Sequence, residues 1–382
     1  MLLSIQATAL KPILSSLSKV IDNKDPMPIR ENIYLHEQDG KIIATAGNDS
    51  HTLHCVLPFD RVEDFSPICI PFKQLAEITA AVGDSIFPME LKTGKQAGSK
   101  SPFEMVIDYG EGEFRFIATD PTGYPVQKVA PETFQCQVPA RQTFACASAA
   151  TAFTAKDDLR PVMTGVYFDF RTAGELRIVS SDSKALYMRT LRDGITPPSD
   201  CGFILSPQTI ATALSCIGTA EQVSIAYNGK AAIIQTDTFR LEAVLIEGRY
   251  PRYEAILPKA QRIRLDVPVK TFVTAVRRAA ICANQATNQI RFDFVPSQLY
   301  ARVSATDVDM SKASHTSLAL PKPDQVTDAL SIGFRANIVL NAVGALPTAD
   351  MQMCMNDSQK ACTFEATDRD TIVLVMPMML TE

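Results

Sequence analysis

The sequence lacks several features that would place it in a common class of protein. It has no tryptophan, and only 17 of its 382 residues are glycine. It contains no P-loop, GxGxxG run or GxSxG run, so the loops that cradle phosphates or present a nucleophilic serine are missing. No apolar run approaches the ~18 residues of a membrane-spanning helix, and the N-terminus has no signal-peptide pattern. We therefore expect a cytoplasmic protein that contacts no membrane, has no catalytic residues and needs no cofactor.

Cysteine and histidine are too sparse and too scattered to indicate a metal centre. The nine cysteines run from Cys55 to Cys362 without a CxxC pair, which is typical of reduced, buried thiols. His51 and His54 are three residues apart, and on a strand such residues point to opposite faces. We expect neither a metal site nor a disulfide framework.

One order of elements recurs three times along the chain. In each copy an amphipathic helix is followed by strands, a second helix and more strands. The predicted helices span 6–21, 71–82, 139–156, 206–218, 268–283 and 334–346. Leu10, Phe144 and Phe272 mark the first helices at intervals of 134 and 128 residues, and the second helices repeat both intervals. We predict an α+β fold of three repeated domains, each with two helices packed on antiparallel sheet, at 1–129, 130–258 and 259–382. Three unrelated α+β domains of similar size are the alternative.

Charge is distributed unevenly between these helices and the rest of the chain. The chain as a whole carries a net charge of −5, from 37 basic and 42 acidic residues, which argues weakly against nucleic acid. The six predicted helices, however, hold nine bases and one acid, Glu77. The nine bases are Lys11, Lys19, Lys73, Arg141, Lys156, Lys270, Arg277, Arg278 and Arg335. A basic helix surface suits sequence-independent contact with backbone phosphates, whereas the simpler interpretation is that these side chains only solvate the helices.

Four stretches together resemble one known family. They are DLRPVMTGVYF at 158–168, LRIVSSDSKAL at 176–186, LIEGRYPRYEAILP at 245–258 and VMPMML at 375–380. With the length and the threefold organisation, they make the chain similar to the bacterial DNA polymerase III β subunits, the sliding clamps. The resemblance implies a head-to-tail homodimeric ring around duplex DNA that acts as a processivity factor. The implied partners are the polymerase III catalytic subunit, the clamp loader and other replication and repair proteins.

The resemblance also implies where this chain binds its partners. Partner peptides would bind in a hydrophobic pocket between the second and third domains. Here the predicted peptide pocket is formed by Met163, Ser181, Leu186, Pro251, Ile256, Leu374, Met376, Pro377 and Met378. The implied dimer interface pairs Phe114 and Phe116 of one subunit with Ile281 and Cys282 of the other.

The chain departs from the family pattern at two places in the pocket region. Ser183, Lys184 and Ala185 stand where the family commonly has Gly-His-Arg, and Met379 replaces a frequent arginine. A divergent paralogue that binds peptides but loads weakly on DNA is therefore a second hypothesis. A third is a small-molecule hydrolase on an unrelated three-domain fold.

Overall fold

The structure is a computed structural model of the chain. It describes residues 1–22, 24–83, 88–93, 103–125, 134–157, 159–195 and 201–380. Among them, no helix is both long enough and apolar enough to cross a membrane. The predicted boundary at 129/130 lies outside the described residues, and the predicted domain limits stay a prediction.

All six predicted helices are present, and each is shorter than its sequence pattern suggested. They are α1 (Ala7–Leu17), α2 (Phe72–Val82), α3 (Ala140–Ala150), α4 (Pro207–Cys216), α5 (Val269–Ala280) and α6 (Ala336–Gly344). On α5 the buried residues Phe272, Ala275, Val276 and Ala279 form one stripe, because three- and four-residue spacings return to the same face of a helix.

The prediction of a helix over 139–156 was wrong at its C-terminal end. Helix α3 stops at Ala150 and a 3-10 turn follows over Thr151–Phe153. The Thr151 hydroxyl donates to the Ser148 carbonyl at 2.7 Å, and the Thr154 hydroxyl donates to the Thr151 carbonyl at 2.9 Å. Such side-chain bonds compete with helical hydrogen bonds. Lys156 therefore lies beyond the helix.

The strands of the described residues pair antiparallel throughout. The first repeat supplies β1 (Leu2–Ile5), β2 (Asn32–Gln38), β3 (Lys41–Gly47), β4 (His51–Val56), β5 (Arg61–Glu63), β6 (Ile68–Pro71), β7 (Met89–Thr93), β8 (Glu104–Asp108) and β9 (Glu113–Ile117). The second supplies β10 (Phe134–Pro139), β11 (Val166–Asp169), β12 (Leu176–Ser181), β13 (Ala185–Leu191), β14 (Gly202–Leu205), β15 (Gln222–Tyr227), β16 (Ala231–Gln235) and β17 (Phe239–Val244). The third supplies β18 (Ile263–Pro268), β19 (Gln289–Phe294), β20 (Tyr300–Asp307), β21 (Lys312–Ala319), β22 (Leu330–Arg335), β23 (Asp350–Met355), β24 (Cys362–Ala366) and β25 (Thr371–Val375).

The element order confirms the predicted threefold repeat. The second and third repeats both read strand, helix, four strands, helix, three strands, and the first differs only by the short additional strand β5. In all three, the helices fall at the two positions that the landmark intervals indicated. The α+β fold of repeated two-helix domains is confirmed.

The strands and helices form two compact units. The first is built mainly from Met1–Phe144 and Gln208–Leu245. It holds a five-stranded sheet in the order β5-β1-β7-β8-β9 and an eight-stranded sheet in the order β10-β15-β16-β17-β4-β3-β2-β6. Strand β4 pairs with β17, so the larger sheet joins the first repeat to the second. Helices α1 and α2 pack against each other within this unit.

The second unit comprises Ala145–Ile195, Ser199–Pro207 and Ile246–Glu382. Its eight-stranded sheet has the order β14-β11-β12-β13-β25-β24-β23-β18, and its four-stranded sheet has the order β21-β20-β19-β22. Strand β13 pairs with β25, which joins the second repeat to the third. Helix α5 packs on β20 and β21, and α6 packs on β22 and β25.

Candidate functional site

The floor of the predicted peptide pocket is a buried cluster in the second unit. Leu186 on β13 and Leu374 on β25 are directly paired across the two strands, and both are buried. The same cluster contains Tyr250 and Tyr253, with Val162 packed against it. Leu186 and Leu374 therefore lie where the sheet joins the second repeat to the third.

The turn between β12 and β13 brings Met163 and Ser181 to one edge of this floor. The Ser183 hydroxyl lies 3.9 Å from the Met163 sulfur and also contacts the Arg160 guanidinium. The backbone N–H of Ser183 donates to the Ser181 hydroxyl at 3.2 Å. Ser183 has a φ of +73°, a left-handed conformation that glycine adopts most easily. A serine at this position accepts that backbone cost and adds a hydroxyl that a glycine would lack.

The segment after β17 supplies the exposed side of the predicted pocket. Pro251 is exposed and Ile256 keeps 53% of its surface exposed, while Tyr253 between them is buried. The chain enters this segment through Gly248, whose φ is +122° and at which a Cβ would lie only 2.5 Å from a methyl of Val162. Glycine is required there because both the backbone conformation and the close approach exclude a side chain.

A charged network beneath this segment fixes its position. The Tyr253 hydroxyl donates to the Asp169 carboxylate at 2.6 Å, and Arg171 donates to both oxygens of Asp169 at 2.8 and 2.6 Å. Arg171 also donates to Glu254 at 2.6 Å. Burial alone would raise the pKa of Asp169, but the bonds from Arg171 and Tyr253 outweigh it and leave that pKa below its ordinary value. A buried carboxylate with this many donors is a fixed anchor for the 253–254 turn.

The C-terminal segment carries Met376, Pro377 and Met378 of the predicted pocket. The backbone N–H of Met376 donates to the Lys184 carbonyl at 2.8 Å, and that of Met378 donates to the Gly333 carbonyl at 2.8 Å. A Cβ on Gly333 would lie 2.8 Å from the Leu380 side chain, so the tail packs closely over β22. Met376 is 45% exposed and Met379 is 86% exposed.

The nine predicted pocket residues differ in their exposure. Met163, Ser181, Leu186 and Leu374 are buried, whereas Pro251, Ile256 and Met376 are exposed and Pro377 and Met378 are half-buried. Exposed methionine and aliphatic side chains can adapt to different apolar partners. Sequence reasoning missed Val162, Tyr250 and Tyr253 in the floor and Asp169 and Arg171 beneath it. The two tyrosines lie inside the 245–258 stretch that the sequence singled out, but the sequence did not indicate that they are buried.

The nine predicted DNA-facing bases lie on or beside the helices. Lys11, Lys73, Arg141, Lys270, Arg277 and Arg278 are within helices and exposed, and Glu77 is the one acid within the six described helices. Lys19 follows α1, Lys156 follows the 3-10 turn after α3, and Arg335 is the last residue of β22. Among the described residues, none of the nine bases forms an ion pair, although many strand bases do, such as Arg189 with Asp368.

The predicted interface residues lie at a sheet edge and at a helix end. Phe114 and Phe116 are on β9, the edge strand of the five-stranded sheet, and both are half-buried. Their cross-strand partners Ile107 and Met105 are wholly buried, so the two phenylalanines face the core side at the edge of the sheet. Ile281 follows α5 and is 78% exposed, and Cys282 is half-buried.

The two neighbouring histidines point to different partners, as their spacing predicted. His51 Nε2 lies 2.8 Å from the Thr209 hydroxyl, whereas His54 Nδ1 lies 2.8 Å from the Thr45 hydroxyl. Burial, with smaller contributions from the nearby His36 and Arg240, lowers the pKa of His54 to about 4. Within the described part of the chain, no group of three His, Cys, Asp or Glu residues could hold a metal ion.

Three repeats of two helices on antiparallel sheets, with two larger sheets shared across repeats, define a protein of the DNA-clamp fold class. The model of the DNA polymerase III beta subunit central domain matches residues 140–252, and that of the C-terminal domain matches residues 254–379. These two models cover more than half of the chain. The chain belongs to the DNA polymerase III beta subunit family of DNA sliding clamps.

Individual relatives are distant but similar over their full length. The beta sliding clamp of Pseudomonas putida is 21% identical over 379 residues, which is 99% of each chain. That of Bacillus subtilis is 21% identical and covers 98% of each chain. A sliding clamp from Pseudomonas aeruginosa bound to griselimycin superposes with a TM-score of 0.90 at 19% identity. The Helicobacter pylori beta clamp bound to a DNA ligase peptide gives 0.85 at 20% identity. Both structures cover 100% of each chain.

Proposed function

We propose that two copies of this chain close head to tail into a ring around duplex DNA in the cytoplasm. The ring tethers the replicative polymerase, and the predicted peptide pocket receives the polymerase, the clamp loader and other replication and repair proteins in turn. It has no catalytic site of its own. Tethering raises the local concentration of the polymerase at the primer end without adding any affinity for a particular DNA sequence.

The single observation that carries the DNA-binding part is the composition of the helices. Six exposed bases and one acid lie on helices of a chain whose overall charge is −5. Because these bases form no ion pair within the described residues, their charge is available to phosphates. Exposed lysine and arginine neutralise phosphates without reading bases, which suits a protein that slides.

The peptide-binding part is supported by Ile256 and Met376. Ile256 is 53% exposed and Met376 is 45% exposed, and solvent-exposed apolar groups that cluster commonly mark interaction sites. Replacing Ile256 with Asp is expected to weaken the binding of a fluorescent polymerase-derived peptide at least about ten-fold, equal to about 1.4 kcal/mol of binding free energy. Leu299→Asp is the matched control, since Leu299 is an exposed apolar residue of the same unit. Equal peptide affinity in wild type and Ile256→Asp contradicts the proposed pocket.

The ring requires a contact between two copies, and two of the edge strands of the described sheets suit it. Strand β9 is one edge of the five-stranded sheet and β21 is one edge of the four-stranded sheet. Unpaired edge strands readily pair with another chain. A heterologous contact used twice around a twofold axis closes a dimer. Sedimentation at micromolar concentration is expected to give a dimer that Phe116→Lys dissociates, and a strict monomer excludes the ring.

A second candidate is a clamp paralogue that binds peptides but stays poorly on DNA. It is favoured by the absence of any charged residue within α4 and α6. The two candidates separate in one experiment, which is loading on nicked circular DNA followed by gel filtration. A dimer that binds the peptide but elutes free of DNA identifies the paralogue.

A further inference from the structure

The first unit contains a surface that is built like the predicted peptide pocket of the second unit. In the second unit, Leu186 and Leu374 pair directly across β13 and β25, and both are buried. In the first unit, Leu53 and Leu241 pair directly across β4 and β17, and both are buried as well. Each unit therefore has the same buried leucine pair on the two strands that join one repeat to the next.

Each unit also has a stack of two tyrosines. The ring centroids of Tyr34 and Tyr124 lie 5.1 Å apart in the first unit, and those of Tyr167 and Tyr250 lie 4.8 Å apart in the second. Tyr34 and Tyr167 lie on the strand that follows a 3-10 turn in their repeats. Tyr124 and Tyr250 are both buried, and each is followed by a proline. The match therefore extends from the joining strands to the segments beside them.

The turn before each joining strand is closed in the same way. Asn48 Oδ1 accepts the backbone N–H groups of the residues two and three positions later, in the turn before β4. Asp182 Oδ1 accepts the corresponding two N–H groups in the turn before β13. Asn and Asp commonly close turns by such bonds to their own backbone. The next residue is Asp49 in the first unit and Ser183 in the second, so these two residues occupy matching positions.

An exposed apolar side chain follows each joining strand pair. The backbone N–H of Val244 donates to the Ser50 carbonyl at 2.9 Å, and Val244 is 46% exposed. In the second unit, the backbone N–H of Met376 donates to the Lys184 carbonyl at 2.8 Å, and Met376 is 45% exposed. Val244 therefore corresponds to Met376 of the predicted peptide pocket.

The two surfaces differ at the residue that contacts the turn. Met163 precedes the first stacked tyrosine of its unit by four residues, and its sulfur lies 3.9 Å from the Ser183 hydroxyl. Arg30 precedes the first stacked tyrosine of its unit by four residues, and its guanidinium donates to the Asp49 carboxylate at 2.5 Å. A thioether beside a hydroxyl in the second unit is thus replaced by an ion pair in the first.

The ion pair of Arg30 extends into the protein. The guanidinium also donates to the Asp25 carboxylate at 3.2 Å, and the Arg30 and Asp25 side chains are only 12% and 4% exposed. The other oxygen of Asp25 accepts the backbone N–H of Met27 at 2.8 Å. An apolar peptide that displaced Arg30 would strand the buried Asp25 carboxylate, which is strongly unfavourable. The surface around Arg30, Asp49 and Val244, the first-unit corner, is therefore held by charge.

We propose that the first-unit corner is a second copy of the peptide site, closed to apolar peptides by the ion pairs of Arg30, so that each chain binds one partner peptide. Arg30 determines specificity by excluding the class of ligand that the predicted peptide pocket accepts, a peptide with apolar side chains. That role of Arg30 rests on the proposed function of the pocket in the second unit. The position that corresponds to Ile256, six residues after the buried tyrosine, is 130 and lies outside the described residues.

The test opens the corner and counts the bound peptides. The variant Asp25→Asn/Arg30→Met/Asp49→Ser removes both ion pairs and places methionine and serine where the second unit has them. It keeps an amide oxygen for the backbone N–H of Met27. The full chain is titrated in a calorimeter with the polymerase-derived peptide of the Ile256 test. We expect one site per chain in the wild type and two in the variant.

A matched control removes a different ion pair of the same unit. Arg61→Met/Glu63→Ser makes two of the same changes at an exposed pair on β5, and it is expected to keep one site per chain. An opened variant that melts like the wild type but binds one peptide overturns the inference and leaves the proposed pocket intact. A wild-type chain that binds two peptides also overturns it. A wild-type chain that binds none contradicts the proposed pocket, and the inference with it.

The corner can also be measured alone, after the pocket of the second unit has been weakened. In the Ile256→Asp background, the three opening substitutions are expected to return one binding site per chain. The same background with Arg61→Met/Glu63→Ser is expected to stay weak. Equally weak binding by both combined variants overturns the inference.

A measurement on the unmutated chain keeps the inference falsifiable if the opened variant does not fold. A benzophenone on the same peptide is photoactivated at a peptide concentration that saturates the wild-type chain, and the crosslinks are located by mass spectrometry. Crosslinks are expected around Met376 and not around Val244. Comparable crosslinking at the two positions overturns the inference, because the first-unit corner would then be open.

Discussion

Reversing the charge of the last turn of α5 is a direct test of DNA contact. Arg277 and Arg278 are exposed neighbours, and neither forms an ion pair within the described residues. The Arg277→Glu/Arg278→Glu variant leaves the buried stripe of α5 unchanged. It places two acids at a helix C-terminus, where the helix dipole disfavours negative charge by about 0.3 to 1 kcal/mol each. We expect a folded protein with altered electrostatics.

The expected effect on DNA binding follows from counterion release. The logarithm of the binding constant falls with the logarithm of salt concentration, with a slope of about −0.9 for each phosphate neutralised. If each arginine neutralises one phosphate, the slope becomes less steep by about 1.8 for each subunit. When salt rises from about 50 to 200 mM, the variant is therefore expected to lose about ten-fold less affinity for DNA than the wild type loses. Absolute affinity at low salt falls as well, since two attractive contacts become repulsive.

The assay is fluorescence anisotropy of a labelled duplex titrated with protein at several salt concentrations. The matched control is Arg264→Glu/Arg302→Glu, which makes the same charge change at exposed strand residues of the same unit. We expect the control to keep nearly the wild-type slope. The reasoning is refuted if the helix variant keeps the wild-type slope, or if both variants lower it equally.

Three further predictions concern the peptide pocket and the histidines. Deleting 376–382 removes the Met376 bond to Lys184, so peptide affinity in anisotropy should fall while the sedimenting mass stays dimeric; unchanged affinity argues against a role for the tail. Tyr253→Phe removes one hydrogen bond to the buried Asp169 carboxylate, which should lower the free energy of unfolding by about 1.5 to 3 kcal/mol and weaken peptide binding. Tyr300→Phe changes an exposed ring and should do neither. His54 has a pKa lowered to about 4, so the unfolded chain binds its proton first as pH falls. Stability should therefore drop between about pH 6.5 and 4, by about 2 kcal/mol at pH 5, in urea titrations, and His54→Gln should flatten that dependence.

Local sequence patterns predicted the helices well because their signals are local. Apolar residues recur every three or four positions, and Pro71, Pro207 and Pro268 stand at helix starts. The end of α3 was misjudged because Thr151 and Thr154 turn their hydroxyls back to carbonyls, a choice that apolar periodicity does not record. The residue at which a helix ends therefore depends on side-chain hydrogen bonds that the apolar periodicity does not indicate.

The pairing of strands was beyond sequence reasoning for a different reason. Strand β13 lies beside β25, although about half of the chain separates them, and β4 lies beside β17 in the same way. Alternating apolar residues show that a strand has a buried face, but any strand with the same alternation would suit as its neighbour. The Tyr253 bond to Asp169 is similarly invisible, because it links residues 84 positions apart.

The predicted peptide pocket depends on this long-range pairing. Its parts come from four separated segments around Met163, Leu186, Ile256 and Met376, and three of them are fixed through β13 and β25 or the strands beside them. No single repeat contains a complete pocket, since Leu186 belongs to the second and Leu374 to the third. We therefore expect the predicted site to form only after both repeats have folded and joined their sheets. A chain that binds partner peptide has, by that binding alone, demonstrated a correctly assembled second unit, whereas an isolated repeat should bind none, however well it folds.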